Sequence, residues 1–351
     1  MNLPIPLTVL TGYLGSGKTT LLKALLKHPE MAGTAVIVNE FGEVGLDDAL
    51  IEAVQEDTVL LPSGCVCCAV RGDLVKALLK LHEDMMRGSI PELQRVVLET
   101  TGLADPAPLA QTLISDRDLF RIYRLDGIVT TVDAQHGLNQ LDTTYESARQ
   151  IALADRLILT KTDLVDGEMV DRVSARARAL NPAAPIRTAI AGAIEPAELF
   201  DLNAYEVRDR ADVERWLSAE DYAHDAHCSS GTCDHPHHHH HAHLHGISSF
   251  CLTFDAPLEA AKLEAAIELL RSAHGERLLR VKGLLNVVES EHPFVIHGVQ
   301  HVFYPVEMLE RWPSSDRRSR IVFITRDLDE AKVRAHFAPL LNAHAPVPDQ
   351  K

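Results

Sequence analysis

The chain begins with an apolar run that leads directly into a glycine-rich loop and then into a segment with leucines at helical spacing. Glycines let the backbone N–H groups of such a loop turn inward around the α- and β-phosphates of a nucleotide. A lysine at the end of the loop reaches the β- and γ-phosphates, and the hydroxyl after it is a ligand for Mg²⁺. The pattern predicts a nucleoside triphosphate site built from Gly12, Gly15, Ser16, Gly17, Lys18, Thr19 and Thr20.

The charge balance limits the kinds of partner. Lys and Arg number 34 against 50 Asp and Glu, a formal net charge of −16, which argues against DNA or RNA as the main partner. No basic segment precedes an apolar one at the start, and no apolar run approaches the roughly 18 residues of a membrane span, so secretion and membrane insertion are not indicated. We expect a cytoplasmic protein of about two domains.

Short apolar runs alternate with amphipathic segments over residues 1–205. This alternation predicts an α/β P-loop NTPase domain with a mostly parallel sheet flanked by helices. Its strands are expected at 7–10, 34–39, 58–60, 95–99, 127–132 and 156–160, with a weaker one near Ile186.

Residues 206–246 read as a linker that is first acidic and then rich in histidine. A smaller α+β domain is expected over 247–345. Its strands are predicted at 249–254, 279–289, 294–304 and 320–325, and its helices at 258–274 and 328–341.

A second motif of nucleotide-binding proteins follows the first in the chain. An apolar strand ends in the acid Glu99, and Gly102 comes three residues later. In P-loop proteins an acid in this place holds Mg²⁺, and the glycine N–H senses the γ-phosphate. We therefore predict Lys18 and Glu99 as catalytic residues and Thr19 with Glu99 as Mg²⁺ ligands.

A third motif, Thr160-Lys161-Thr162-Asp163, predicts the identity of the base. The Asp163 carboxylate can accept from the N1–H and the amino group of guanine, donors that adenine lacks, so the wrong base leaves a buried carboxylate unpaired. GTP is the predicted nucleotide, contacted by Thr160, Lys161 and Asp163. In this motif asparagine is common at the position of Thr160. Threonine lacks the amide of asparagine, which softens the preference for guanine. The sequence offers no obvious glutamine to position the attacking water, so slow intrinsic hydrolysis is expected.

Three cysteines, Cys65, Cys67 and Cys68, lie within four residues between the first and second motifs. Thiolates at this spacing can face one soft cation, with a carboxylate or a partner protein as fourth ligand. The alternative is a cluster of small buried hydrophobic residues. Upstream, Glu40 and Glu43 lie in a switch-like stretch after the second predicted strand, where each can equally be a solvated loop acid.

Ten of the nineteen histidines fall within residues 224–245. Neutral imidazoles at this density make overlapping weak sites for Zn²⁺, Ni²⁺, Co²⁺ or Cu²⁺. The alternative is a flexible spacer with incidental metal affinity. The predicted auxiliary ligands are His235, His237, His238, His239, His240, His241, His243 and His245.

The motifs GYLGSGKTT, NEFGEVGLDD, GCVCC, LETTGLADP and TKTD occur in this order and resemble the CobW/YjiA family of P-loop GTPases. The resemblance extends over nearly the whole chain, including the C-terminal domain. It implies a metallochaperone that hydrolyses GTP and hands a divalent metal, zinc in the best-defined members, to a client metalloprotein. It also implies the three cysteines as metal ligands, with Glu40 or Glu43 as helpers. From charge and hydropathy we expect no nucleic acid or membrane partner, and a homodimer stays open.

Several functions remain open at this stage. The same GTPase can serve cobalt for cobalamin synthesis, or iron or nickel for an enzyme centre. Thiolates favour zinc over cobalt by affinity, but metal availability and the identity of the client decide the cargo in cells. A regulatory G-protein with a structural zinc is the alternative from another class. A small-molecule kinase is the weakest, because the sequence shows no recognisable acceptor site.

Overall fold

The computed structural model describes residues 3–39, 59–63, 71–202, 204 and 244–338. The chain divides into two compact units, Met1–Glu206 and Val207–Lys351. Most of the predicted linker 206–246 lies outside the described residues, so its boundaries stay a prediction. No helix in the described part of the chain has the length and apolar character that crossing a membrane requires.

The first unit is built on one sheet of parallel strands. The strands are β1 (Ile5–Gly12), β2 (Thr34–Asn39), β3 (Val59–Ser63), β4 (Arg95–Glu99), β5 (Tyr123–Asp133), β6 (Arg156–Thr160) and β7 (Ile186–Ala189). They lie in the order β3-β2-β4-β1-β5-β6-β7. The helices are α1 (Lys18–Leu25), α2 (Arg71–Met86), α3 (Ala107–Ser115), α4 (Arg117–Ile122), α5 (Gly137–Thr143), α6 (Tyr145–Leu153) and α7 (Gly167–Leu180).

The buried strands explain this architecture. β1, β4 and β5 have neighbours on both sides, and their residues are almost all buried, as expected for a parallel sheet covered on both faces. Helix α1 packs Leu21, Leu22 and Leu25 against Val36 and Val97 of the sheet. The predicted parallel α/β fold is confirmed.

Parallel register brings the carboxyl ends of the strands to one edge of the sheet. Leu10 of β1 pairs with Glu99 of β4, and Asp133 of β5 pairs with Thr160 of β6. β3 also ends there, at Ser63. Loops that follow these strands therefore leave from a shared edge, where ligands bind in open α/β sheets.

The second unit is a separate α+β body, as predicted. Its strands are β8 (Ile247–Phe254), β9 (Leu278–Leu285), β10 (Phe294–Val299), β11 (Val302–Phe303), β12 (Glu307–Met308) and β13 (Ser319–Arg326), and its helices are α8 (Ala260–His274) and α9 (Glu330–His336). The antiparallel sheet has the order β11-β10-β9-β13-β8, with β12 paired to β10. Its core includes Phe250 and Phe323, whose ring centroids lie 5.5 Å apart.

Some predicted boundaries were wrong in this unit. The strand predicted at 294–304 is a hairpin, because Gln300 has a left-handed φ of +55°. The strand predicted at 279–289 ends at Leu285. The last helix begins at Glu330 rather than Leu328, because the Asp329 carboxylate accepts from the backbone N–H of Lys332 at 2.8 Å and caps the helix. Strand β12, only two residues long, was not predicted.

Candidate nucleotide-binding site

The loop between β1 and α1 closes tightly against β5. Gly12 has a φ of +142°, and a Cβ atom there would lie 2.2 Å from Oγ1 of Thr131, so only glycine fits. The Ser16 and Thr131 hydroxyl oxygens are hydrogen-bonded at 2.7 Å. This loop leads into the N-terminus of α1, where backbone N–H groups favour an anion.

Lys18 is buried at the start of α1. Its Nζ donates to the carbonyl oxygens of Gly12, at 2.7 Å, and Tyr13, at 3.2 Å. Burial lowers the pKa of Lys18 to about 8, and the negative charge of Glu99 acts in the opposite direction. The structure therefore folds this ammonium group back over the loop, within reach of a phosphate bound in it.

Thr19 and Glu99 join the loop to the acid-ended strand. The Thr19 hydroxyl donates to Oε1 of Glu99 at 2.9 Å, and Glu99 is only 4% exposed. A hydroxyl and a carboxylate are the hard oxygen donors that Mg²⁺ takes from a protein beside nucleotide phosphates. The donor set of this pair thus fits the predicted Mg²⁺ site.

The stretch after β4 lies directly on the phosphate loop. A Cβ atom on Gly102 would lie 2.6 Å from the backbone nitrogen of Leu14, so the two backbones meet at the closest approach that glycine allows. The Thr100 hydroxyl donates to that of Thr11 at 2.8 Å. The geometry brings Gly102 to the loop between β1 and α1, which we call the phosphate cradle. Its contact with a γ-phosphate stays a prediction.

The predicted base-recognition motif lies at the end of β6. The Thr160 hydroxyl donates to the Ser16 carbonyl oxygen at 2.7 Å, which ties this strand end to the phosphate loop. Lys161 Nζ lies 2.7 Å from Oδ2 of the buried Asp133. Asp163 is exposed, on the short turn Thr162–Leu164. The sequence predicted a buried carboxylate at Asp163, but its neighbours in the described chain leave it exposed to solvent.

Sequence reasoning missed three residues that support this site. Asp133 holds Lys161, Gln150 donates to the carbonyl oxygens of the stretch that contains Gly102, and Arg149 forms an ion pair with Asp105 at 2.5 Å. One signal was available for Gln150, because a glutamine on the apolar side of an amphipathic helix is an unusual buried polar residue.

Several predicted ligands lie outside the described residues, namely Glu40, Glu43, Cys65, Cys67, Cys68, His235, His237, His238, His239, His240, His241 and His243. His245 is described, with a φ of +54° in the turn before β8. Among the residues that the structure describes, no three His, Cys, Asp or Glu side chains gather as a metal site. The segment with the three cysteines leaves β3 after Ser63, three strand positions from β1.

Comparison with known proteins relates this site to others. Residues 6–188 match the family described as CobW/HypB/UreG, nucleotide-binding domain, and residues 247–341 match the cobalamin synthesis protein cobW C-terminal domain. The chain is 34% identical over 337 residues to the zinc chaperone YjiA of Escherichia coli, covering 96% of this chain and 99% of YjiA.

Two further similarities point in the same direction. The zinc-regulated GTPase metalloprotein activator 1 of Schizosaccharomyces pombe is 31% identical, covering 93% of this chain and 83% of that protein. The crystal structure of Zn(II)-bound YjiA GTPase from E. coli superposes with a TM-score of 0.74 at 32% identity, covering 97% of this chain and 99% of that one.

Proposed function

Because the chain belongs to the CobW/HypB/UreG family and is a GTPase, we propose that it binds a divalent metal, zinc in the first place, at its Cys-x-Cys-Cys motif and transfers it to a client protein when GTP is hydrolysed. In this proposal the chain consists of a GTPase domain over 1–205, a metal-binding linker over 206–246 and a C-terminal domain over 247–345. Zinc is here a cargo, whereas Mg²⁺ belongs to the nucleotide site.

The residues of the cradle have distinct tasks in this reaction. The Lys18 ammonium exchanges its two backbone carbonyl acceptors for the β- and γ-phosphate oxygens. Thr19 and Glu99 would hold Mg²⁺, which when bound neutralises charge that develops on the phosphate oxygens. Gly102 presents its N–H to the γ-phosphate, so this N–H distinguishes GTP from GDP.

The base is selected at the other end of the site. The carboxylate of Asp163 accepts from guanine, and Lys161 lies beside it with its amino group held by Asp133. The tie from Thr160 to Ser16 keeps this motif at a constant distance from the phosphate loop. The residues that contact the base and those that contact the phosphates are therefore held at a fixed separation.

The observation that carries the metal part of the proposal is the shared sheet edge. Thr19 and Glu99 meet at that edge, and the cysteine segment leaves it after Ser63. Three strand spacings separate β3 from β1, about 14 Å. We propose that a change at this edge that follows the γ-phosphate passes to the segment after Ser63, and that the altered arrangement of its thiolate ligands releases the ion.

The test measures metal affinity in the full-length protein in two nucleotide states. Zn²⁺ stoichiometry and affinity are determined with a non-hydrolysable GTP analogue and with GDP, for the wild type, for Cys67→Ser and for the control Cys251→Ser. Cys251 lies on β8, and burial raises the pKa of its thiol to about 11, so it is a poor ligand at neutral pH. We expect Cys67→Ser to lose one tight ion and Cys251→Ser to keep it.

Two results decide against the proposal. If Cys67→Ser keeps the wild-type metal stoichiometry and the wild-type response of GTPase rate to metal, the motif is not the cargo site. If the tight ion binds equally with both nucleotides, the protein is a switch with a structural zinc. Repeating the titration with Co²⁺ and Ni²⁺ tells which cargo the thiolates prefer.

A further inference from the structure

Helix α6 contacts the stretch after β4 through two adjacent side chains. Gln150 is 1% exposed, and its Nε2 donates to the carbonyl oxygens of Gly102, at 3.1 Å, and Ala104, at 3.0 Å. Next to it, Arg149 pairs with Asp105. Helix α6 therefore holds this stretch by three contacts within four residues.

The orientation of the Gln150 amide follows from its partners. Both are carbonyl oxygens, which only the nitrogen of the amide can serve. The side-chain oxygen is buried and has no hydrogen-bond partner within the described ranges. Gln150 therefore contributes to this contact through the two hydrogen bonds that its nitrogen donates.

The helix that carries Gln150 is itself firmly anchored. The Thr130 hydroxyl of β5 donates to the Gln150 backbone oxygen at 3.0 Å. At the other side of the contact, Gly102 lies against the backbone of Leu14 in the phosphate loop. Gly102 thus lies between helix α6 and the phosphate cradle, and its carbonyl oxygen accepts from Gln150.

We propose that Gln150 is a positioning residue for GTP: by fixing the Gly102 carbonyl it aims the neighbouring backbone N–H groups at the γ-phosphate. This inference rests on the proposed nucleotide site. Gln150 does not reach the substrate, so its part in the reaction is carried out through Gly102. Gln150 thus affects the binding of the terminal phosphate of GTP. GDP lacks this phosphate, so its binding does not depend on Gln150.

The experiment compares Gln150→Met with a matched control, Asn181→Leu, in the full chain. Asn181 is another buried amide, and its nitrogen donates to the carbonyl oxygens of Ile151 and Ala154 at the end of the same helix, at 2.8 Å each. Both variants lose buried hydrogen bonds, but only Gln150→Met loses a hydrogen bond to Gly102. The readouts are the affinities for the GTP analogue and GDP, kcat, and the unfolding temperature.

We expect Gln150→Met to weaken the GTP analogue about 10- to 100-fold relative to GDP, as for a lost set of buried hydrogen bonds, and to lower kcat by a similar factor. Asn181→Leu should lower the unfolding temperature and leave the affinity ratio within about twofold. Arg149→Met, at a partly exposed position, is a second variant that keeps the fold and should shift the ratio in the same direction by a smaller factor.

The inference is overturned if Gln150→Met and Arg149→Met leave the ratio unchanged, or if Asn181→Leu shifts it equally. These outcomes leave GDP binding intact and concern only the ratio of the affinities for the GTP analogue and GDP. A failure of the proposed function is seen instead in the Zn²⁺ titration of the wild type and Cys67→Ser, which does not depend on Gln150.

Discussion

The phosphate end and the base end of the candidate site are built in opposite ways. At the phosphate end, Lys18 and Glu99 are buried and already hydrogen-bonded to the chain. At the base end, Asp163 is exposed, although Thr160 and Lys161 beside it are tied down by Ser16 and Asp133. The phosphate end is thus preorganised, whereas at the base end the proposed recognition of guanine requires the base to cover the Asp163 carboxylate.

The difference has a physical reason. Charge stabilisation in hydrolysis is effective when donors are fixed before the reaction, so burial of the phosphate end is useful. Base discrimination needs only a difference between two bound states, and in the proposed site the desolvation of Asp163 by guanine would supply it.

The largest effect is expected at the phosphate end. Lys18→Ala removes charge-assisted hydrogen bonds to two phosphates and should weaken GTP binding about 10²- to 10⁴-fold, measured by calorimetry. The matched control is Lys161→Ala, a lysine of the base end whose loss should cost at most about tenfold. If the two variants lose equal affinity, the ends do not differ as proposed.

An intermediate effect is expected at the base end. In Asp163→Asn a side-chain amide replaces the acceptor of the guanine donors, so GTP should bind about 10- to 100-fold more weakly. Xanthosine triphosphate, which carries an oxygen in place of the amino group, should gain affinity. Competition between the two nucleotides measures both changes.

The control for this substitution is Asp166→Asn. Asp166 is an exposed neighbour that caps α7 by accepting from Met169 N–H at 2.8 Å, and asparagine caps equally well. It should leave base preference unchanged. An unaltered preference in Asp163→Asn would place base recognition elsewhere.

The smallest effect is a pH dependence of the phosphate end. Burial lowers the pKa of Lys18 to about 8, and bound phosphates favour its charged form and raise this pKa. Above about pH 8, Lys18 is charged in the nucleotide complex but largely neutral in the free protein, so binding takes up a proton. The affinity for nucleotide therefore falls as pH rises. Between pH 7 and 9 we expect GDP affinity to fall about tenfold. A flat profile in Lys18→Ala is the control, and a flat wild-type profile would contradict the assignment.

Much of the fold was readable from local patterns. The strands at 34–39, 95–99 and 156–160 have the predicted bounds, because a strand covered on both faces must be apolar throughout. The hairpin at Gln300 was missed, since a left-handed φ at a glutamine is decided by its surroundings. Gln150 was missed because its partners lie 46 and 48 residues away.

The amino-acid sequence alone determined the family, the order of the motifs and the kind of ligand, since these depend on residue types at fixed short spacings. Only the tertiary structure decided which side chains meet. It brought Thr19 to Glu99, Thr160 to Ser16 and Gln150 to Gly102. These contacts depend on strand order and register, which set where distant segments end, and short-range patterns carry no record of them.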